Sequence, residues 1–204
     1  MKPIILMDVD GVKADFITGS LPFINRLTGT NYAHEDVTRW EMGEALNLTP
    51  DQSKELKRYW ASPGFCRNLP AYEGAIEGVA KLREYGVVLA ITAALDSDTW
   101  MREREQWLVE NFRFDRNDVM HVDKRWKHLV RGRILVEDRT DTLCDWQKQN
   151  PFGTGILMGQ PYNHIDVASG VWRGAVAHSW DQLVSFVKRE LRYAEFSRNP
   201  HATD

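Results

Sequence analysis

Cysteine is scarce in these 204 residues: only Cys66 and Cys144 occur, far apart and in no C-x-x-C arrangement. Two such residues build neither a disulfide framework nor a cysteine-ligated zinc site, and a reducing compartment is the default. Long apolar runs are missing as well. Nothing approaches the ~18 consecutive apolar residues that cross a bilayer, and no apolar leader with a small-residue cleavage site follows Met1-Lys2-Pro3. A cytoplasmic protein with no membrane partner is expected. Charge of one sign is not in excess either, since 26 basic and 29 acidic residues leave a net charge of −3. No basic stripe is available to coat a nucleic-acid polymer, although a single nucleotide stays acceptable as a ligand. The run Lys124-Arg125-Trp126-Lys127-His128 is too short to change that. The histidines form neither H-x-x-x-H nor H-E-x-x-H, which argues against a zinc hydrolase. Internal repeats and low-complexity stretches are absent too.

What is present suits one good-sized domain with a small insert, because 43% of the residues are hydrophobic and can fill a core. Short apolar runs at Pro3–Met7, Val87–Ile91, Val119–Val122, Ile134–Val136, Gly155–Met158 and, more weakly, Ala175–Ala177 read as strands. Helical patterns fall between most of them, at Ala75–Tyr85, Thr99–Asn111 and Thr140–Gln149, with a last one at Trp180–Tyr193. Strands alternating with helices predict an α/β fold: a Rossmann-like, three-layer, doubly wound parallel sheet. Gly86 is placed as a left-handed C-terminal cap. Ser179 with Gln182, and Thr49-Pro50 with Gln52, have the spacing of capping boxes.

The interval from Lys13 to Tyr72 is far longer than one crossover and holds no convincing strand. Helical segments are expected around Ala14–Leu27, broken at Pro22, around Glu35–Leu46, and over Pro50–Ala61. The division that follows is a core of residues 1–12 and 73–196, a helical cap of residues 13–72 after the first strand, and a frayed polar tail at 197–204. Such a cap would lie over the carboxyl ends of the strands, where ligands bind in open α/β sheets.

Polar residues gather at those ends. Asp8-Val9-Asp10-Gly11 closes the first strand, and alternation sends both carboxylates the same way. Two buried carboxylates repel, and a hard divalent cation such as Mg²⁺ would offset the cost; a plain turn is the simpler alternative. The second strand ends at Thr92, whose hydroxyl and following N–H groups make a phosphate cradle. The fourth ends in Glu137-Asp138, with Lys127 ten residues earlier.

The order Asp-x-Asp-Gly-Val, strand-Thr, Lys, acidic pair is similar to the four motifs of the haloacid dehalogenase superfamily. Asp8–Phe16, Gly64–Pro70 and Ile134–Asp141 resemble, more narrowly, the 5′(3′)-deoxyribonucleotidases. The resemblance spans residues 4–145 and implies a Mg²⁺-dependent enzyme acting on a nucleoside monophosphate, with no polymer as partner; a homodimer is compatible with it. By the same resemblance, Asp8 is the nucleophile that becomes an aspartyl phosphate and Asp10 the general acid and then base. Asp8, the Asp10 carbonyl and Asp138 hold the metal, and Thr92 and Lys127 hold the phosphoryl oxygens. Phe16, Trp40 and Phe65 match or lie near base-contacting aromatics, with ordinary cap packing as the plain alternative.

Departures from the pattern are Glu137 in place of a first Asp, which suits orienting Lys127 or a metal-bound water, and Ala93-Ala94 after the motif Thr. Lys13 stands where the family has an apolar residue, and is read either as an extra cation near the phosphate or as a solvent-facing side chain. Trp100, Trp107 and Trp146 are assigned to core packing. Competing readings are a phosphatase of the same superfamily for another small phosphate ester, and a phosphoacceptor receiver module. Receivers, however, carry their acidic pair after the first strand and lack a sixty-residue helical insert.

Overall fold

A computed structural model describes residues 2–198 of the protein. Six strands form one sheet: β1 (Ile4–Met7), β2 (Val87–Thr92), β3 (Val119–His121), β4 (Ile134–Glu137), β5 (Thr154–Met158) and β6 (Ala175–Ala177). Their order is β3-β2-β1-β4-β5-β6 and all five pairings are parallel. Successive strand residues face opposite ways, and the packing follows that period. Ile5 and Met7 of β1 join one buried cluster with Val88, Ala90, Ile134 and Val136, while Leu6 joins a second with Ile91, Leu135 and Leu157. Helices α4 (Ala75–Tyr85), α5 (Trp100–Phe112) and α8 (Trp180–Arg198) supply residues to the first cluster, and α6 (Thr140–Gln149) supplies Leu143 and Trp146 to the second. A sheet buried on both faces explains why its strands read as continuous apolar runs. Trp100, Trp107 and Trp146 are at most 1% exposed, as core packing requires.

Strand order turns at β1: the chain winds outward to β2 and β3, then crosses to β4 on the other side. Ligand crevices form at such a switch point, beyond the carboxyl ends. Met7 pairs with Val136 in the register, so the residues after β1 and those ending β4 are neighbours. Asp8 N–H donates to Val136 O at 2.9 Å and extends that pairing past the strand.

Between β1 and β2 lie α1 (Phe16–Thr28), α2 (Met42–Ala45) and α3 (Pro50–Trp60). Ile17, Leu21 and Ile24 of α1 pack with Val37, Met42, Leu46 and Leu56 in a third cluster. The expected break at Pro22 is absent, because α1 runs through it. One lost backbone bond is offset by the buried stripe of Ile17, Ser20, Leu21 and Ile24, with Pro22 on the solvent side. Glu35–Leu46, by contrast, is less helical than expected: a single 3₁₀ turn at His34–Asp36 and the four-residue α2 are all that form.

The Thr49 box forms reciprocally, with Gln52 N–H donating to Thr49 Oγ1 at 3.2 Å and Thr49 N–H to Gln52 Oε1 at 2.9 Å. At α8 only half forms as drawn. Gln182 N–H donates to Ser179 Oγ, but the Gln182 side chain accepts from His178 N–H instead. α7 (His164–Ala168) was not foreseen. α8 continues through Arg198, so Ser197 and Arg198 are helical rather than tail, and residues 199–204 lie outside the described residues. Among the described residues no helix is long and apolar enough to cross a membrane.

Gly86 is not a left-handed cap. Its φ of −160° and ψ of −180° are extended, and glycine is needed there for space. A Cβ would lie 2.6 Å from Pro3 O and 2.9 Å from Ile5 Cδ1, where the chain enters β1 beside β2. Gly86→Ala is expected to cost about 1–3 kcal/mol through overpacking, measured by urea unfolding. A loss below about 0.5 kcal/mol, the size of an ordinary surface change, would show that this strand end yields freely.

Candidate active site

Four carboxylates follow the strand ends. Asp8 (5% exposed) directly follows β1, Glu137 (0%) ends β4 and Asp138 (1%) follows it. Oxygens of these three lie within 4.8 Å of one another. Asp10, whose side chain is 25% exposed, is the fourth. Lys127 sits in a 3₁₀ turn before β4, almost fully buried, and reaches two of them: Nζ to Asp8 Oδ2 at 2.6 Å and to Glu137 Oε2 at 3.2 Å. The ten-residue spacing between Lys127 and Glu137 therefore corresponds to a direct contact.

One ammonium does not neutralise three buried carboxylates. Burial raises the Asp8 carboxyl, but the Lys127 charge and the surrounding hydrogen bonds outweigh this and hold it below its usual value. Burial and the Asp8 charge push Glu137 well upward. Asp138 rises to about 6, through burial first and the Asp8 charge next, against hydrogen bonds from Glu137 and Tyr162. Asp138 Oδ1 is buried and has no hydrogen-bond partner. An orphaned carboxylate oxygen beside two other acidic groups is the donor set of a hard divalent cation, so these residues fit Mg²⁺. The carboxylate cluster includes Glu137, which was assigned a supporting role, whereas the Asp10 carboxylate lies outside it.

The loop after β5 braces this pocket and carried no signal in the sequence. Gln160 Nε2 donates to Gly11 O at 2.7 Å, and Asn163 Nδ2 donates to Asp138 O at 2.8 Å. The Tyr162 hydroxyl donates to Asp138 Oδ2. Gly11 (φ +71°) is obligatory here, since a Cβ would overlap the Asp138 carboxylate and the Tyr162 hydroxyl.

A cavity of about 800 Å³ opens above the carboxylates, reached by Asp8, Asp10, Asp138 and Lys127 from the core, by Phe16 at the start of α1 and by Trp40 from the loop before α2. Phe16 packs on Trp60 (5.1 Å), Phe65 (5.4 Å) and Trp100 (6.4 Å) and presents itself to the cavity. Phe65 does not. It is 6% exposed, stands behind Phe16 against Trp100, and forms no part of the cavity wall, so direct substrate contact by Phe65 is corrected to support of Phe16. Trp40 lines the cavity with its edge to Tyr162 (5.3 Å) and the Arg139 guanidinium 4.6 Å from its ring centre. Thr92 ends β2 fully buried, and its hydroxyl makes only a long contact to Ala93 O, 3.4 Å; the wall beyond it is Ala93–Asp96.

Two buried cations were misjudged or missed. Lys13 neither points to solvent nor reaches the cavity. It is fully buried under the first motif, with Nζ donating to Met7 O at 3.1 Å and to Asp8 O at 2.6 Å. Arg104, on α5, is also fully buried and donates from Nη2 to Asp10 Oδ1 at 2.5 Å. Its sequence signal was its place between Trp100 and Trp107, at helical spacing on the buried stripe.

A parallel sheet of this order, with acidic groups at the carboxyl ends of β1 and β4, is the fold of the haloacid dehalogenase type. Solved structures share the fold. A haloacid dehalogenase-like hydrolase of Streptococcus pneumoniae superposes with a TM-score of 0.59 at 13% identity, covering 91% of this chain and 98% of that one. A hydrolase of the same type from Bacillus subtilis, solved with magnesium bound, gives 0.55 at 10% identity, covering 92% and 99%. Residues 2–191 match the sequence model described as 5′ nucleotidase, deoxy (pyrimidine), cytosolic type C protein, and the chain belongs to that family of phosphoric monoester hydrolases. It is 23% identical over 164 residues to the 5′(3′)-deoxyribonucleotidase of Bacillus subtilis (strain 168), covering 80% of this chain and 88% of that protein.

Lys13 makes a prediction of its own. Burial pulls its ammonium from 10.5 down to about 7, with the Asp8 charge opposing. Between those values the unfolded chain binds more protons than the folded one, so the burial cost is complete below pH 7 and fades as pH rises. The stability of Lys13→Met relative to the parent is therefore expected to be most favourable at pH 6 and to fall by roughly 2 kcal/mol by pH 9. Urea unfolding of both proteins at the two pH values measures this, and a pH-independent difference would contradict it.

Proposed function

We propose that the protein is a Mg²⁺-dependent phosphatase that hydrolyses deoxynucleoside monophosphates to nucleoside and phosphate through an aspartyl phosphate on Asp8. The observation that carries this reading is the pairing of a low-lying Asp8 carboxylate with Lys127 Nζ at 2.6 Å, beside the orphaned Asp138 Oδ1. A carboxylate held ionised is a competent nucleophile toward phosphorus, and covalent catalysis divides one difficult displacement into two. Lys127 is ready to pair with the phosphoryl oxygens as charge spreads over them, whereas Thr92, fully buried and outside the cavity wall, serves only to place the Ala93–Asp96 segment that lines it. Asp10 gives a proton to the departing nucleoside oxygen and takes one from the attacking water.

Asp8, Asp138 and the Asp10 carbonyl would hold the metal, and Mg²⁺ bound there supplies positive charge to the phosphoryl oxygens. Glu137 orients Lys127. Residues 13–72 act as the cap over a core of 1–12 and 73–196, in a protein working in the cytoplasm. Phe16 offers a flat face for a base, and Trp40 lines the same cavity. The family description and the curated relative's name support a deoxynucleotide. Another small phosphate ester is the second reading, because a shared fold and catalytic centre do not fix the substrate.

Phosphate release from ribo- and deoxynucleoside monophosphates and from sugar phosphates, each with Mg²⁺, tests the substrate. Turnover is expected to be highest on a deoxynucleotide, to vanish in Asp8→Asn, and to fall ~10²–10⁴-fold in Asp10→Asn. Preference for a sugar phosphate over every nucleotide would reject the nucleotidase reading.

Metal binding has a readout without catalysis. Mg²⁺ at about 100 times its Kd should stabilise the fold by about 2.7 kcal/mol, seen as a raised Tm, and Asp138→Asn should lose most of that rise. An unchanged Tm in the parent at millimolar Mg²⁺ would count against the site.

A further inference from the structure

Arg104 lies outside the four strand-end features, yet it touches one of them. Its side chain has no exposure, and Nη2 meets Asp10 Oδ1 at 2.5 Å. Trp100 and Trp107, four residues before and three after it on α5, form a slot for the guanidinium, 5.1 and 5.6 Å from their ring centres. Trp107 Nε1 donates to Leu69 O at 2.7 Å, and Glu103 accepts from Gly64 N–H at 2.8 Å, so this stretch of α5 is fixed. Nε and Nη1 of Arg104 are buried without any acceptor.

Stability does not account for such a residue. Unmatched buried donors cost free energy, and a buried ion pair is often replaced by apolar side chains with no loss. Its position does account for it. Asp10 and Trp100 belong to the cavity wall and Arg104 does not, so the guanidinium meets the substrate only through the Asp10 carboxylate. Among the described residues, the Asp10 side chain accepts only this one hydrogen bond, and it falls on Oδ1.

We propose that Arg104 is the positioning residue of the acid–base step: it anchors Asp10 by Oδ1 and thereby aims Oδ2 at the ester oxygen. The inference rests on the proposed phosphatase reading and deepens it. In the first half-reaction Asp8 forms a bond to phosphorus, the bond from phosphorus to the ester oxygen breaks, and the Oδ2 proton of Asp10 passes to that oxygen. In the second, water attacks phosphorus, its proton passes to Oδ2, and the bond to Asp8 breaks. Arg104 changes no bond and keeps its charge throughout. A proton donor must sit within hydrogen-bond reach of its target, so a carboxylate free to rotate loses part of its acceleration.

The test is the rate of the first turnover, followed by rapid mixing on two esters in parent and Arg104→Met. A deoxynucleoside 5′-monophosphate releases an alkoxide that needs the proton. p-Nitrophenyl phosphate releases a phenolate that is stable without it. Arg104→Met should slow the first turnover of the nucleotide ~10–10²-fold and leave that of the aryl ester within about threefold, well under the tenfold that 1.4 kcal/mol represents. In an Asp10→Asn background the same substitution should change neither, because the two residues act as one unit. Should Arg104→Met fail to fold, Arg104→Lys, which keeps the charge and loses the fork geometry, is held to the same standard: a selective loss on the nucleotide.

Equal slowing of both esters, or no slowing of either, would overturn the assignment. Failure of the underlying reading looks different. Asp8→Asn would then turn over either ester as fast as the parent, and the claim for Arg104 would go with it. If Asp8→Asn is inactive and the two esters respond alike to Arg104→Met, only the positioning role falls.

Discussion

Mutual repulsion among Asp8, Asp10, Glu137 and Asp138 is the constraint to which the rest of the site answers. The register of β1 with β4 brings their strand ends together, and burial keeps water from screening Asp8, Glu137 and Asp138. Three cations from three separate places respond. Lys127 enters the crevice and pairs with Asp8 and Glu137, Arg104 comes from α5 to Asp10, and Lys13 lies beneath, holding the Met7 and Asp8 carbonyls. The residual imbalance is visible in the raised Glu137 and Asp138 carboxyls and in the unpartnered Asp138 Oδ1. A site left electrostatically unfinished in this way is not arranged for its own stability, and its donor set fits a hard cation.

Backbone anchors keep that charged cluster in shape. The turn from Asp8 to Ala14 is closed by bonds from Lys13 N–H and Ala14 N–H to Val9 O, both 2.8 Å. It is tied to α8 through Trp180 Nε1, which donates to Val12 O at 3.1 Å, and to the loop after β5 through Gln160. The same loop holds Asp138 by its carbonyl and its carboxylate. At Gly11 a Cβ would overlap the Asp138 carboxylate and the Tyr162 hydroxyl, which leaves no room for a side chain. Above them, Phe16 of α1 and Trp40 of the loop before α2 bring the inserted segment to the cavity, and Trp40 meets Arg139 and Tyr162 of the core side.

Much of this was legible beforehand. Strand runs of β-branched and aliphatic residues placed all six strands to within about a residue or two at each end, and the fold class with them, because a doubly covered parallel sheet has a strong local signature. Asp8, Glu137 and Asp138 could be grouped because they stand at the carboxyl ends of strands, and Lys127 joined them by its ten-residue spacing to Glu137. Misreadings came where local propensity met tertiary packing. Pro22 was read as a break, but the buried face of α1 outweighs one hydrogen bond. Gly86 was read as a cap, but its role is clearance for the entering strand. Phe65 was read as a substrate contact, yet it is screened from the cavity by Phe16.

The sequence by itself determined which elements form and which polar residues stand at their carboxyl ends, because alternation, capping and short-range spacing are properties of neighbours along the chain. Tertiary structure alone decided what those residues touch. Arg104 and Asp10 are separated by 94 positions, Tyr162 and Asp138 by 24, and Gln160 and Gly11 by 149. Lys13, only five residues from Asp8, was also undecidable, since whether its ammonium turns inward depends on the room left by Phe114 and the acceptors at the end of β1. Contacts of this kind arise from the packing of whole elements, and no local pattern records them.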